Sequence, residues 1–241
     1  MPRRSIYIHY CWFGHGEKSP LIKKCIKSWS EISPDYEIKE WNESNFDVNI
    51  CPYVKQAYEQ KKWAFVSDYA RFYVLNKFGG IYLDVDVELL KPLDDLLENE
   101  AFAGFANNEI VATGLVFACE KNNSFAQDIL RSYDGQNFVN DDPSKILAIG
   151  RRVTRLLKEH GLELNGKQQT VYGVTVYPSY YFNPTNGDMR VKIDPRAYSV
   201  HHYAATWFSP RKRFLNTLRR FIGTSNMQRY YKLKNKVTGK K

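Results

Sequence analysis

The chain reads as an α/β protein built around one central sheet, and three observations carry that reading. Strand-like, helix-like and strand-like segments follow one another through residues 5–42. A long apolar helix-like stretch then leads through Gly79-Gly80 into a further strand. That strand, Ile81-Tyr82-Leu83, runs into two carboxylates, Asp84 and Asp86. Strands alternating with helices bury both in one layered core, with the site expected at the C-terminal edge of the strands.

Residues 5–13, SIYIHYCWF, alternate as a first strand and stop at Gly14 and Gly16. In SPLIKKCIKSWSEIS, residues Leu21, Ile22, Cys25, Ile26 and Trp29 share one face at spacings of three and four. Ser19-Pro20 is a start signal, with proline at the first helical position. Residues 36–42 alternate as a second strand. Residues 58–78 read as a single long helix with Lys77 in its final turn and Gly79-Gly80 as its cap. The strand IYLDVD follows, then Lys91-Pro92 and the polar LDDLLENE. Strands are expected at 101–106 and 111–119 with a hairpin around residues 107–109, helices in FAQDILRSY and SKILAIGRRVTRLLKEHG, and late strands over 170–182 and 198–203. No internal repeat interrupts this order, and the first compositional break is Ser209-Pro210. The expected division is a domain over 1–209 and a tail over 210–241.

Of the 241 residues, 43% are hydrophobic and 15% aromatic, the make-up of a globular chain with rings to spare for ligand pockets. No run of about eighteen apolar residues occurs, so no membrane-crossing helix is expected. The N-terminus shows no signal-peptide pattern. The four cysteines (11, 25, 51 and 119) match no zinc or redox spacing, which points to reduced thiols and a cytoplasmic setting. Charge is unevenly spread. Eleven of the 35 Lys and Arg lie between Arg211 and Lys241, where there is no acid, which leaves 24 basic against 26 acidic residues in the first 210.

Acids at the end of a buried strand cost free energy unless something binds them. Two carboxylates at i and i+2 on a strand point to the same side, about 6.5–7 Å apart along it. A bend there lets them share a hard divalent cation, Mn2+ or Mg2+. Two solvated acids in a turn are the plainer alternative, but Ile81, Leu83, Val85 and Val87 interleave with the acids. Asp68 and Arg71, in FVSDYARFYVL, are neighbours on one helical face among aromatic and aliphatic residues. Such a pair is either buried at a cost or faces a ligand. Trp12 beside the first glycine turn suits stacking on a planar base or filling the core, and His201, His202 and Trp207 cluster late in the chain.

The segments IYIHYCWFG, WAFVSDYARFYVLNKFGGIYLDVDVELLKPLDDLL and HHYAATW together resemble bacterial members of glycosyltransferase family 32, over about residues 5–100 and again over 198–210. Yeast Golgi mannosyltransferases and, more distantly, clostridial glucosylating cytotoxins share that core. The resemblance implies a GT-A-like nucleotide-diphospho-sugar transferase fold and retaining transfer of a hexose from a nucleotide sugar, UDP-hexose first and GDP-mannose as the alternative. The acceptor it implies is a glycan or lipid-linked saccharide in surface or capsular polysaccharide synthesis. Asp84 and Asp86 match the DXD motif that holds manganese on the donor diphosphate, with His202 in the place of a further metal ligand. Asp68 and Arg71 match the pair on the donor sugar and ribose. Tyr82 matches a donor-pocket residue, Trp12 the base-stacking aromatic and Trp207 a tryptophan on a closing loop. Many relatives carry Gly-Pro where this chain has Gly150-Arg151, and Ser-Trp where it has Thr206-Trp207.

One rival from another class is a haloacid-dehalogenase-like phosphotransferase, with LDVDV as its signature and Asp84 as nucleophile; it leaves Asp68, Arg71 and the histidines unexplained. In the tail, Phe214, Leu215, Leu218, Phe221 and Ile222 fall on one helical face and Arg211, Lys212, Arg213, Arg219 and Arg220 towards the other. That is the pattern of a basic amphipathic helix lying on an anionic membrane. Packing on its own domain is the alternative. No nucleic-acid recognition motif accompanies it, so no nucleic-acid partner is expected.

Overall fold

The structure, a computed structural model, describes residues 6–138, 148–188 and 191–204. The first strand, β1 (Tyr7–Cys11), is followed by helix α1 (Pro20–Ile32) and strand β2 (Glu37–Trp41). Ser19 caps α1, its hydroxyl accepting from the Ile22 N–H, and Pro20 occupies the first turn. β1 pairs in parallel with both β2 and the short β3 (Gly80–Tyr82), so three strands end on the same edge.

The single helix expected over 58–78 is two, α2 (Pro52–Glu59) and α3 (Trp63–Phe78). Lys61 takes a left-handed φ of 57°. Its N–H bonds the Tyr58 carbonyl at 2.8 Å, and the Lys62 N–H reaches back to Ala57 at 2.8 Å. This is the paired 5→2 and 6→1 closure that ends a helix, usually built on glycine and here on lysine. α3 is buried on several sides, with Val66, Ala70, Phe72, Val74 and Leu75 fully enclosed.

β3 is fixed at its start by two glycines and a histidine. Gly79 and Gly80 have φ of 69° and 105°. A Cβ on Gly80 would lie 2.7 Å from the Tyr7 carbonyl. His9, fully buried, meets the Gly79 carbonyl through Nε2 at 2.9 Å and accepts from Trp41 Nε1 at Nδ1, 3.0 Å away. That pairing assigns the ring proton to Nε2. Burial pulls the His9 pKa down to about 4, against the bond to Gly79 and with help from Lys39.

The strand expected through Asp86 stops at Tyr82. Residues 83–86 turn, with the Val87 N–H on the Asp84 carbonyl at 3.0 Å. The chain then enters β4 (Val87–Leu89), which leaves the main sheet and pairs antiparallel with β10 (Ser199–His201). The strand expected over 111–119 is likewise interrupted. β5 (Ala101–Asn107) hairpins into β6 (Ile110–Val111), a turn follows, and β7 (Phe117–Cys119) pairs antiparallel with β3 and β5. After α4 (Ser124–Arg131) and α5 (Ile149–Glu159), β8 (Gln169–Val171) and β9 (Val174–Tyr177) complete the sheet, and α6 (Ser179–Phe182) packs against β5. The sheet order is β2-β1-β3-β7-β5-β9-β8, with β6 on β5.

Alternate residues face two separate cores. Cys11, Tyr82, Ala103, Phe117 and Val176 pack with α2, α3 and α4 on one side. Ile8, Tyr10, Ile81, Leu83, Phe102 and Ala118 pack with Trp29 of α1 and Phe182 of α6 on the other. None of the four cysteines forms a disulfide. Among the described residues no helix is long and apolar enough to cross a membrane. The expected tail, 210–241, lies outside the described residues.

Candidate active site

The site forms where β1 and β3 end side by side, with α3 behind them. Asp68 and Arg71 are one turn apart on α3, both almost fully buried. The Arg71 guanidinium stands 4.7 Å from the Tyr82 ring centroid and donates from Nε to the Ser67 carbonyl at 3.3 Å. Its Nη2 lies 2.8 Å from Asp68 Oδ1 and 3.4 Å from Asp84 Oδ1. Burial opposes the Arg71 charge, but Asp84, Tyr82 and Asp68 together outweigh it and hold the guanidinium protonated. One buried cation therefore joins a helix carboxylate to the first acid of the DVD turn.

Asp68 is the more strained partner electrostatically. Burial raises its pKa to about 6, with Asp84 adding to the rise and Arg71, the Ile149 N–H and Arg152 opposing it. The N-terminus of α5 is thus aimed at a carboxylate, the favourable sense for the helix dipole. Arg152 is held by the Ser132 carbonyl and hydroxyl at 2.7 and 2.8 Å and lies 4.0 Å from the Tyr133 ring centroid. Sequence reading passed over Arg152, because nothing local links it to a residue more than eighty positions earlier.

Asp86 is buried in its own network. Its Oδ1 meets His201 Nε2 at 3.0 Å and its Oδ2 accepts from the Ala204 N–H at 2.6 Å. Burial alone would raise its pKa, but His201 and Ala204 outweigh that and keep the carboxylate ionised. His202, one residue on, turns the other way: its Nε2 lies 2.7 Å from Glu88 Oε2, and Lys24 Nζ of α1 closes on the other Glu88 oxygen at 2.8 Å. The β4–β10 register, with His201 opposite Val87, separates the two histidines.

Tyr82 is fully buried beneath Arg71. Trp12 is half-buried; its Nε1 donates to the Gly16 carbonyl at 2.7 Å, and Lys18 Nζ stands 5.3 Å from its ring centroid. Trp207 lies outside the described residues. Asp84, with its side chain 31% exposed, is the acid that reaches solvent. Its N–H bonds the Gly114 carbonyl at 2.9 Å. A surface groove of about 440 Å³ runs along α5 between Ile110, Arg151, Thr154, Arg155, Lys158 and Glu159, and none of the site acids lines it.

Among the described residues no three His, Cys, Asp or Glu side chains close into a cage for a metal. Hard divalent cations nevertheless bind through one or two carboxylates when substrate phosphates and water complete the shell. Asp84 and Asp86 fit that open kind of site. One is solvent-reaching, and the other is ionised and aimed by His201 and a backbone N–H, the sort of support that orients a ligating group.

The profile of the family described as "Glycosyltransferase sugar-binding region containing DXD motif" matches residues 19–103, the stretch that holds Asp68, Arg71, Asp84 and Asp86. "Inositol phosphoceramide mannosyltransferase 3" of Schizosaccharomyces pombe (strain 972 / ATCC 24843) is 30% identical over 114 residues, covering 42% of this chain and 31% of that protein. The match thus spans about a third of that relative. Among solved structures, PaToxG glycosyltransferase is similar at a TM-score of 0.52 and 20% identity, over 64% of this chain and 69% of its own. The apo form of GlyE, a glycosyltransferase of Streptococcus pneumoniae TIGR4, is similar at a TM-score of 0.51 and 12% identity, over 96% of this chain and 64% of its own. These two likenesses concern the fold, and that fold is GT-A-like with a mixed central sheet. The matched sugar-binding region is thus the part of the chain that carries Asp68, Arg71, Asp84 and Asp86 to the edge of this sheet.

Proposed function

We propose that the chain transfers a hexose from a nucleotide-diphosphate sugar to a saccharide acceptor, with retention at the anomeric carbon and with a divalent cation, Mn2+ or Mg2+, at Asp84 and Asp86. The observation that carries the reading is the buried Arg71 bridging Asp68 and Asp84 at the strand edge. A buried charge array of that kind is costly as mere structure and useful as a preorganised site. When bound, the cation would neutralise charge growing on the departing diphosphate. Asp68 accepts hydrogen bonds and suits sugar hydroxyls. Arg71 holds the Asp68 and Asp84 carboxylates in fixed relation, so that the acceptor hydroxyl meets the anomeric carbon at a constant angle. In a front-face displacement the diphosphate oxygen itself takes the proton, so no enzyme base is required.

UDP-hexose is the first donor to test. A mannosyl donor, GDP-mannose, is the second reading, favoured by the name of the 30% identical relative. The acceptor is a glycan or lipid-linked saccharide of surface polysaccharide synthesis. The basic tail would hold the chain at the cytoplasmic face of an anionic membrane.

The test is a screen of nucleotide sugars against the full chain for Mn2+-dependent donor hydrolysis. One donor should be hydrolysed, and Asp86→Ala should lower the rate by about 100-fold or more. Mn2+ with the matching nucleoside diphosphate should also raise the melting temperature of the wild type and not of the variant. Hydrolysis that is indifferent to Mn2+, or a variant as active as the wild type, would refute the reading.

A further inference from the structure

We propose that Gly114, in the turn between β6 and β7, is a positioning residue that keeps the Asp84 carboxylate aimed for cation binding. The inference rests on the reading of Asp84 given under Proposed function. Its carbonyl accepts the Asp84 N–H at 2.9 Å, so the two backbones are tied together. A Cβ built on Gly114 would stand 2.0 Å from Asp84 Oδ2, 2.8 Å from its Cγ and 3.2 Å from Arg71 Nη1. No other described glycine lies against a site carboxylate in this way.

The backbone does not demand glycine here. Gly114 is absent from the positive-φ residues, whereas Gly79, Gly80 and Gly173 are among them. What the position requires is empty space, and the atom that fills the space is the Oδ2 of Asp84. The other oxygen, Oδ1, is the one that faces Arg71. A side chain at 114 would therefore meet the free end of a short, rotatable acid. Rotating that acid is cheap in stability and ruinous for its aim. Its neighbours Thr113 and Leu115 are both buried, so the turn cannot retreat to make room. The flanking sequence VATGLVF gives no hint of this, since a glycine in a turn ordinarily signals a backbone need.

The test compares wild type, Gly114→Ala, Asp84→Ala and the double variant. Binding of Mn2+ in the presence of UDP or GDP is followed by the electron paramagnetic resonance signal of free Mn2+, and melting is followed without metal. Gly114→Ala is expected to melt within about 3 °C of wild type yet bind Mn2+ at least about tenfold more weakly. Adding it to Asp84→Ala should change nothing further, because the group it displaces is already gone. Wild-type affinity in Gly114→Ala, alongside lost affinity in Asp84→Ala, would overturn the proposal. A further tenfold loss in the double variant would overturn it too. Should Gly114→Ala alone fail to fold, the double variant decides: folding there supports the clash with Asp84, and failure there refutes it. Unchanged Mn2+ binding in Asp84→Ala would instead sink the reading of Asp84 itself.

Discussion

Replacing Arg71 with methionine keeps the side-chain volume roughly constant and leaves Asp68 and Asp84 without their shared cation. The Arg71 side chain is 5% exposed and Asp68 12%, at 2.8 Å, so solvent does little to screen that contact. Asp84, at 3.4 Å and 31% exposed, contributes the smaller share. Breaking a buried pair by removing one partner costs about 3–5 kcal/mol, and that is the loss in unfolding free energy expected at pH 7.5. The loss has a pH signature. Asp68 already titrates near 6 with Arg71 beside it, and losing Arg71 raises it further. A carboxylate whose folded pKa is raised contributes stability that is present below its unfolded value and lost as pH rises through the folded one. The deficit of Arg71→Met should therefore shrink by at least about 1 kcal/mol between pH 7.5 and pH 5.0. Urea unfolding of both proteins at the two pH values measures this. A deficit below about 1 kcal/mol at pH 7.5, or one equal at both pH values, would refute the account of a buried, charged bridge.

Two further outcomes are expected. His9 falls from 6.5 to about 4 on folding, so its neutral form supports the fold above pH 6.5 and that support is lost as pH falls towards 4. The contribution is about 3 kcal/mol. Asp68 acts in the opposite sense over the same window, so the comparison is wild type against His9→Gln, whose curves should converge as pH is lowered; parallel curves would contradict the buried neutral imidazole. Truncation after Ser209 should abolish sedimentation with phosphatidylglycerol vesicles while leaving Mn2+-dependent donor hydrolysis within about twofold, since near-surface basic residues supply about 1 kcal/mol each at most. Undiminished sedimentation would remove the tail from the membrane reading.

Periodicity made β1, α1 and β2 legible as local patterns of faces, and α3 was legible as a long apolar run stopped by Gly79-Gly80. Asp68, Arg71, Asp84 and Asp86 stood out because charged residues occupied places where apolar ones were due, and the structure joins the first three through Arg71. The breaks were not legible. Lys61 closes α2 without the glycine that usually announces such an end, and the turn at residues 83–86 sits inside a run whose composition is that of a strand. Gly114, Arg152 and the choice between His201 and His202 depend on pairings across 30 to 115 residues. Register and packing set those pairings, and neither is written in any short window.

The backbone N–H of Ala204 ends on Asp86. With the His201 ring on the other oxygen, both oxygens of this one carboxylate hold the turn at residues 83–86 to the end of β10 and the residues just after it. Removing the Asp86 side chain would therefore free the chain at Ala204 as well as the turn at residues 83–86.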